Sequence, residues 1–319
     1  MKKIIATVGP SLLHNVPLKS VHNGRNIYRI NGAHGSIDDI EQYILTILKQ
    51  VPEAEILMDL PGNKVRTANL FEPIKIIKGE TFELSFDQTN YNQFYSHLNV
   101  GDVVWANDSI FEFSVDSIDV GRQVISFLSK SSGDLHNNKG MHVRGIHQDI
   151  PFLFNKDKAL IDLANKHQLS FIGLSFVRHG TDIREAKALI DKNIQIISKV
   201  ETKSAVDHLT EILQEVEFIL IDRGDLSTEV GIEKIPAYQR FIVNKALYYN
   251  IKVFLATQFL KSMEVNPVPT IPEVIDLHNT LCSGIYGVQM SEETAIGQYP
   301  KECLDTIVKI MDEIEAQTP

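Results

Sequence analysis

The chain has 319 residues, 43% of them hydrophobic and 23% charged, an ordinary globular composition with ample material for a core. Its formal net charge of −10 argues against a general surface for nucleic acid or anionic membrane, but not against a local basic pocket for a small phosphorylated ligand. The two cysteines, Cys282 and Cys303, lack a paired metal spacing and read as ordinary buried thiols of a reduced compartment.

The opening run Lys3-Ile4-Ile5-Ala6 meets Gly9-Pro10 too soon for a signal peptide, so residues 3–7 are expected to be the first core strand. No later run is long enough to span a membrane, and a cytoplasmic protein is expected. Further apolar strands are expected at 27–30, 55–59, 171–175, 195–199, 218–222, 253–256 and 287–290. Helical periodicity marks 37–50, 156–166, 181–192, 205–213, 235–249, 270–282 and 300–316. Alternation of eight strands with helices predicts an α/β fold, a closed parallel (β/α)8 TIM barrel.

One connection breaks the rhythm. Between Asp59 and Phe171 the chain contains "FELSF", "VGDVVWAND", "IFEFSVDSI" and "GRQVISFL", which alternate with period two and are bounded by Gly, Asn and Asp. An all-β domain over 67–145 is therefore expected inside a barrel formed by 1–66 and 146–319. The stretches "TAN" and "HVRG" are its expected hinges.

Barrel enzymes place their chemistry at the carboxyl ends of the strands. There stand Arg29 and Asn31 after the second strand, followed by Ala33-His34-Gly35. Asp59, Lys64 and Arg66 follow the third, and Ser175 and Arg178 the fourth. Lys199 and Glu201 end the fifth, and Asp222-Arg223-Gly224-Asp225 the sixth. Thr257-Gln258 end the seventh, and Ser291-Glu292-Glu293-Thr294 the eighth. Lys199 and Glu201 lie two apart in an extended run and so point the same way. A partly exposed ion pair contributes too little to explain them. Glu201 and Asp225 offer two hard oxygens suited to Mg2+. Arg29, Arg66 and Lys199 supply positive charge for a transferring phosphoryl group, and the backbone N–H groups of Gly224-Asp225 suit a carboxylate. The residues imply a Mg2+-assisted site for a small phosphorylated acid, with the β insertion as its lid.

Motifs extend this reading. "IIATVGPS", "YRINGAHG", "MDLPGNKVRT", "NNKGMHVRG", "LSFVRHGTDIREAK", "IQIISKVET", "LIDRGDLSTEVG", "FLATQFLKSM" and "VQMSEETAIGQYP" occur in this order, and the chain resembles the pyruvate kinase family in each. The resemblance implies that Lys199 stabilises the transferring phosphoryl group and that Glu201 and Asp225 hold Mg2+ or Mn2+. It implies that Arg29 and Arg66 bind phosphate, that Thr257 lies near the enolate and carboxylate, and that Ser291 serves the proton route. Pro10, Asn31, His34 and Lys139 match positions near the nucleotide. The implied reaction is the glycolytic transfer from phosphoenolpyruvate to ADP, giving pyruvate and ATP.

Departures from the family pattern are as informative. Asn31 and Asp59 remain from a monovalent-cation site, but Ala33 replaces its serine and Lys64 replaces a glutamate. The Lys64 ammonium is expected to stand in for K+, so that K+ is not required. Asp222, Glu292 and Lys261 stand where the family has a small apolar residue, a glycine and a glutamate. The added carboxylates should repel an anionic substrate. The sequence stops at Pro319, so the family's C-terminal regulatory domain is expected to be missing. A monomer or a dimer through barrel helices is expected, although Ile271 replaces an arginine near that contact. Three functions remain open: a pyruvate kinase-like phosphotransferase, an enzyme of specialised biosynthesis acting on phosphoenolpyruvate or a pyruvate enolate, and a catalytically silent regulatory homologue.

Overall fold

The computed structural model describes residues 1–107, 110–143 and 150–317. The chain divides into two compact units, Met1–Gly62 with Asn155–Pro319, and Asn63–Phe154.

The first unit is a closed barrel of eight parallel strands. These are β1 (Lys3–Thr7), β2 (Asn26–Asn31) and β3 (Glu55–Asp59), then, beyond seven strands of the second unit, β11 (Phe171–Leu174), β12 (Gln195–Val200), β13 (Phe218–Asp222), β14 (Lys252–Ala256) and β15 (Gly287–Met290). Sequences such as FILID and GVQM are buried at every position, as expected of parallel strands covered on both faces. Ile5, Ile27, Leu57, Phe171, Ile197, Phe218, Leu220, Phe254 and Ala256 meet in one cluster that fills the barrel.

Helices clothe the strands: α1 (Leu18–Val21), α2 (Ile37–Gln50), α3 (Asn155–Lys166), α4 (Gly180–Lys187), α5 (Lys203–Asp207), α6 (Leu209–Leu213), α7 (Arg223–Val230), α8 (Ile235–Tyr248), α9 (Ile271–Cys282), α10 (Glu292–Ala295) and α11 (Pro300–Ala316). Ser36 and Asp39 form a capping box that opens α2, whose Ile40, Ile44 and Ile47 are buried. The helix expected over 181–192 ends at Lys187 because Asn165 takes over the following backbone, donating to Leu189 O and accepting from Asp191 N. The helix expected over 205–213 is broken at His208. The short α7 has no apolar stripe to betray it; Asp222 caps it, accepting from the Gly224 and Asp225 amides. Cys303 is buried as expected, but Cys282 is exposed, because it ends α9 beside His278 rather than on the helix's buried face.

The second unit contains β4 (Ile74–Ile76), β5 (Thr81–Ser85), β6 (Val103–Ala106), β7 (Phe111–Asp119), β8 (Val124–Ser129), β9 (Gly133–Leu135) and β10 (Met141–His142). Five form an antiparallel sheet in the order β10-β6-β7-β8-β5, and β4 pairs with β9. Period-two alternation along β7 sends Phe111, Phe113 and Val115 into a core shared with Leu84, Phe94, Val104 and Phe127. Of the expected hinges, Thr67 is tied down by Thr67 N to Lys139 O and Asn138 N to Thr67 O, while Arg144 and Gly145 lie outside the described residues. Among the described residues no helix is long and apolar enough to cross a membrane.

Candidate active site

The extended backbone of β12 carries Lys199 into the barrel mouth, and the next residue on the same side, Glu201, follows one step beyond the strand. Their side chains meet, with Nζ 3.0 Å from Oε2. Both are buried, Glu201 completely. Lys199 Nζ also donates to Ser175 Oγ at 3.0 Å and lies 3.8 Å from both Asp59 Oδ2 and Asp222 Oδ2. Arg29 grips the same Asp59 oxygen, with Nε and Nη2 at 2.7 and 2.6 Å from Oδ2. Its Nη1 donates to Thr7 Oγ1, which itself donates to Met290 O and so links β2 to β15.

The charges do not balance. Among the described residues the three carboxylates of Asp59, Glu201 and Asp222 face the two cations Arg29 and Lys199. Burial alone would lower the Lys199 ammonium, but Asp59, Glu201 and Asp222 outweigh it and hold the group well above its ordinary value. Glu201 is pushed up to about 8, first by burial and then by Asp225 and Asp222, against the pull of Lys199 and the Phe176 amide. Asp222 moves up as well, chiefly by burial. Both partners of the Lys199–Glu201 pair therefore shift upward for different reasons: burial outweighs the pull of Lys199 on Glu201, and the carboxylates outweigh burial at Lys199.

A divalent cation fits this surplus. Glu201, Asp222 and Asp225 can each offer an oxygen, all within 4.8 Å of one another, and hard carboxylate oxygens suit Mg2+. Glu201 Oε1 is occupied by the Phe176 amide at 2.7 Å. Its Oε2 is buried beside the ammonium but receives no in-line hydrogen bond, and is the oxygen left for a ligand.

The amides expected to receive a substrate carboxylate are already engaged. Asp222 Oδ1 accepts from Gly224 N at 3.1 Å and from Asp225 N at 3.4 Å. Gly224 N also approaches Thr257 Oγ1 at 3.2 Å. Thr257 has φ 77 and Gln258 φ 58, and a β-branched residue in that region is a genuine outlier, of the kind that marks functional sites.

The other expected residues are placed as follows. Ser291 lies at the carboxyl end of β15, its amide donating to Glu293 Oε2 at 2.8 Å. Pro10 and His34 are exposed in the segments that leave β1 and β2. Asn31 Oδ1 accepts from the Ala33 amide. Lys64, Arg66 and Lys139 belong to the second unit, where Arg66 Nη1 donates to Lys64 O and Lys139 N donates to Thr67 Oγ1. Sequence reasoning missed two partners of the central pair. The Phe176 amide is aimed at Glu201 by a positive φ of 56, for which a phenylalanine gives no local signal. Asp222 as a helix cap was missed too, although an Asp directly before a helix start is a signal that could have found it.

A family model described as pyruvate kinase, barrel domain, matches residues 1–304. The chain is 33% identical, over 98% of its length, to a pyruvate kinase of Thermotoga maritima, of which it covers 71%. It is 31% identical over 99% of its length to one of Borreliella burgdorferi, covering 68%, and 32% identical over 98% to one of Sporosarcina psychrophila, covering 57%. With a match that runs from the first barrel strand into the last helix, and with the charged strand ends gathered in one barrel mouth, the chain belongs to the pyruvate kinase family.

Proposed function

We propose that the chain transfers a phosphoryl group between phosphoenolpyruvate and ADP, yielding pyruvate and ATP. The observation that carries this reading is the buried Lys199 ammonium, held charged among Asp59, Glu201 and Asp222 beside a surplus of carboxylate oxygen. In this reading Glu201 and Asp225, with Asp222 beside them, hold Mg2+ or Mn2+. The metal supplies Lewis-acid charge to phosphoryl oxygens. Lys199 and Arg29 stabilise the charge that spreads over the phosphoryl group, and the family resemblance assigns phosphate binding to Arg66 as well. Thr257 Oγ1, and the Gly224 and Asp225 amides once Asp222 Oδ1 releases them, orient the acid's carboxylate. Ser291 serves the proton that converts enolate to pyruvate. The family resemblance assigns the nucleotide to Pro10, Asn31 and His34 and, in the inserted unit, to Lys139. In the family pattern Lys64 takes the place of the monovalent cation, so the expected rate is the same in Na+ and K+.

The test is pyruvate release coupled to ATP formation, with Mg2+, across Na+ and K+. We expect ADP-dependent turnover that falls on the order of 10²–10³ in Lys199→Met, the scale for losing one preorganised charge stabiliser. Because that variant leaves buried carboxylates unpaired, Lys199→Arg serves as the second control: it keeps the charge but misplaces it, and a folded, inactive protein supports the assignment. Wild-type protein that releases no pyruvate with ADP overturns it.

A specific observation favours a second reading. Asp222 already fills the amides that would receive the substrate's carboxylate, which favours an enzyme of specialised biosynthesis that holds phosphoenolpyruvate or a pyruvate enolate differently and consumes it without ADP. Disappearance of phosphoenolpyruvate at equal rates with and without ADP is the outcome that reading expects.

A further inference from the structure

Away from the barrel's oxygen cluster, the segment leaving β11 and the break between α5 and α6 bring together His179, His208 and Glu211. Each can offer one ligand atom, and the three atoms lie within 4.8 Å of one another. The imidazoles meet edge to face with centroids 4.1 Å apart, and His179 Nδ1 is 3.8 Å from Glu211 Oε1. Two nitrogens and a carboxylate are a borderline donor set of the kind Zn2+ takes, unlike the hard oxygens of Glu201, Asp222 and Asp225.

Three features prepare these side chains for a metal. First, His208 Nδ1 lies 3.0 Å from Ser204 O. A carbonyl can only accept, so that nitrogen carries the proton and the Nε2 lone pair is left for a ligand. An imidazole held through its other nitrogen by a backbone carbonyl is how metal-bound histidines are usually oriented. Second, Glu211 has no lysine or arginine within ion-pair distance among the described residues; its recorded charged partner is His179. One turn further on, Glu215 takes both Arg184 and Lys187. Third, the helix stops and restarts at His208, and Glu211, three residues later, lies on the same face of the new turn.

We propose that His179, His208 and Glu211 form a second metal site, for Zn2+ or a similar transition ion, completed by water. Its effect would reach the barrel mouth through one segment. The residues between β11 and α4 provide Ser175, which accepts from Lys199, and the Phe176 amide, which holds Glu201. Thr202 Oγ1 already ties the Val177 carbonyl to the start of α5. A metal between His179 and the α5–α6 corner would clasp that segment a second time.

The test uses the whole chain carrying Cys282→Ser, because that exposed thiol lies 3.9 Å from His278 Nδ1 and offers a competing ligand pair. Excess Mg2+ keeps the oxygen cluster filled. Titration with Zn2+ alone is expected to show one saturable equivalent and a raised Tm, since a ligand that binds only the native state stabilises it. Titration with Co2+ alone should give the visible bands of nitrogen- and oxygen-bound cobalt. Both signals should vanish in His208→Gln and, separately, in His179→Asn. Glu211→Gln should weaken binding by more than the roughly ten- to hundredfold that loss of an outer partner costs. All three side chains are at the surface, and either histidine variant decides the matter if the other fails to fold. Equal Zn2+ binding by the parent and the His179→Asn variant, or absence of a saturable equivalent in the parent, overturns the proposal.

Discussion

Asp222 concentrates the chemical question of this barrel in one side chain. It caps α7, approaches Lys199 within 3.8 Å and stands in the carboxylate cluster. Its substitutions separate these roles. Asn caps a helix about as well as Asp, whereas Ala costs about 1 kcal/mol there. Both substitutions remove the buried charge, so in urea Asp222→Ala should fall below Asp222→Asn by about that amount. If the carboxylate opposes an incoming acid, both variants should bind phosphoenolpyruvate more tightly, roughly tenfold for ~1.4 kcal/mol of relieved repulsion. If it is instead a metal ligand, calorimetric titration will show weaker Mg2+ binding in both. The closeness of Lys199 and Glu201 was legible because two-residue spacing in a strand needs no tertiary knowledge. The amide that orients Glu201 was not, because Phe176 adopts its positive φ only in the folded surroundings.

Elements were readable wherever an apolar stripe or run persists, as in β13, α2 and α11. They were unreadable where another part of the chain intervenes. Asn165, far from α4 in sequence, ends that helix by capturing the backbone at Leu189 and Asp191, and nothing in the local sequence of α4 announces it. The start of α9 is the opposite case. Thr270 and Glu273 form its capping box, and Glu273 also receives the Ser262 amide and hydroxyl. Burial alone would raise the Glu273 carboxyl, but these hydrogen bonds from Ser262 and Thr270 hold it below its ordinary value. A depressed carboxyl contributes stability that is present above its unfolded pKa and lost as pH falls through the folded one. Glu273→Ala should cost about 1–2 kcal/mol at neutral pH, and the gap to wild type should close on acidification. Glu273→Gln, which keeps the box geometry, should show a smaller loss that is less sensitive to acid. Urea denaturation at neutral and acid pH measures both effects.

At the scale of the whole chain, the insertion was visible in sequence as a change of texture, from alternating strand and helix to short period-two strands. The way each unit closes on itself was not visible, because it rests on residues that look ordinary. In the barrel, Gly62 N donates to the buried Asp157 Oδ1 at 2.9 Å, holding the residue before the insertion against the first turn of α3. Asp157 by itself reads only as an acidic residue at a helix start. In the inserted unit, Arg66 and Gly140 form a bridge, and Thr67 exchanges backbone hydrogen bonds with Asn138 and Lys139. Each unit therefore secures its own ends and has its own apolar cluster, the conditions for independent folding. Replacing residues 63–154 by a short Gly-Ser linker should leave a barrel with a cooperative thermal transition, and 63–154 alone should give dispersed amide resonances. The shortened barrel retains Lys199, Glu201, Asp222 and Asp225, so it should bind Mg2+ as the parent does. It lacks Lys64, Arg66 and Lys139, so turnover with ADP should disappear. A shortened barrel that still makes ATP would show that phosphoryl transfer needs only the barrel and would remove the inserted unit from the proposed mechanism.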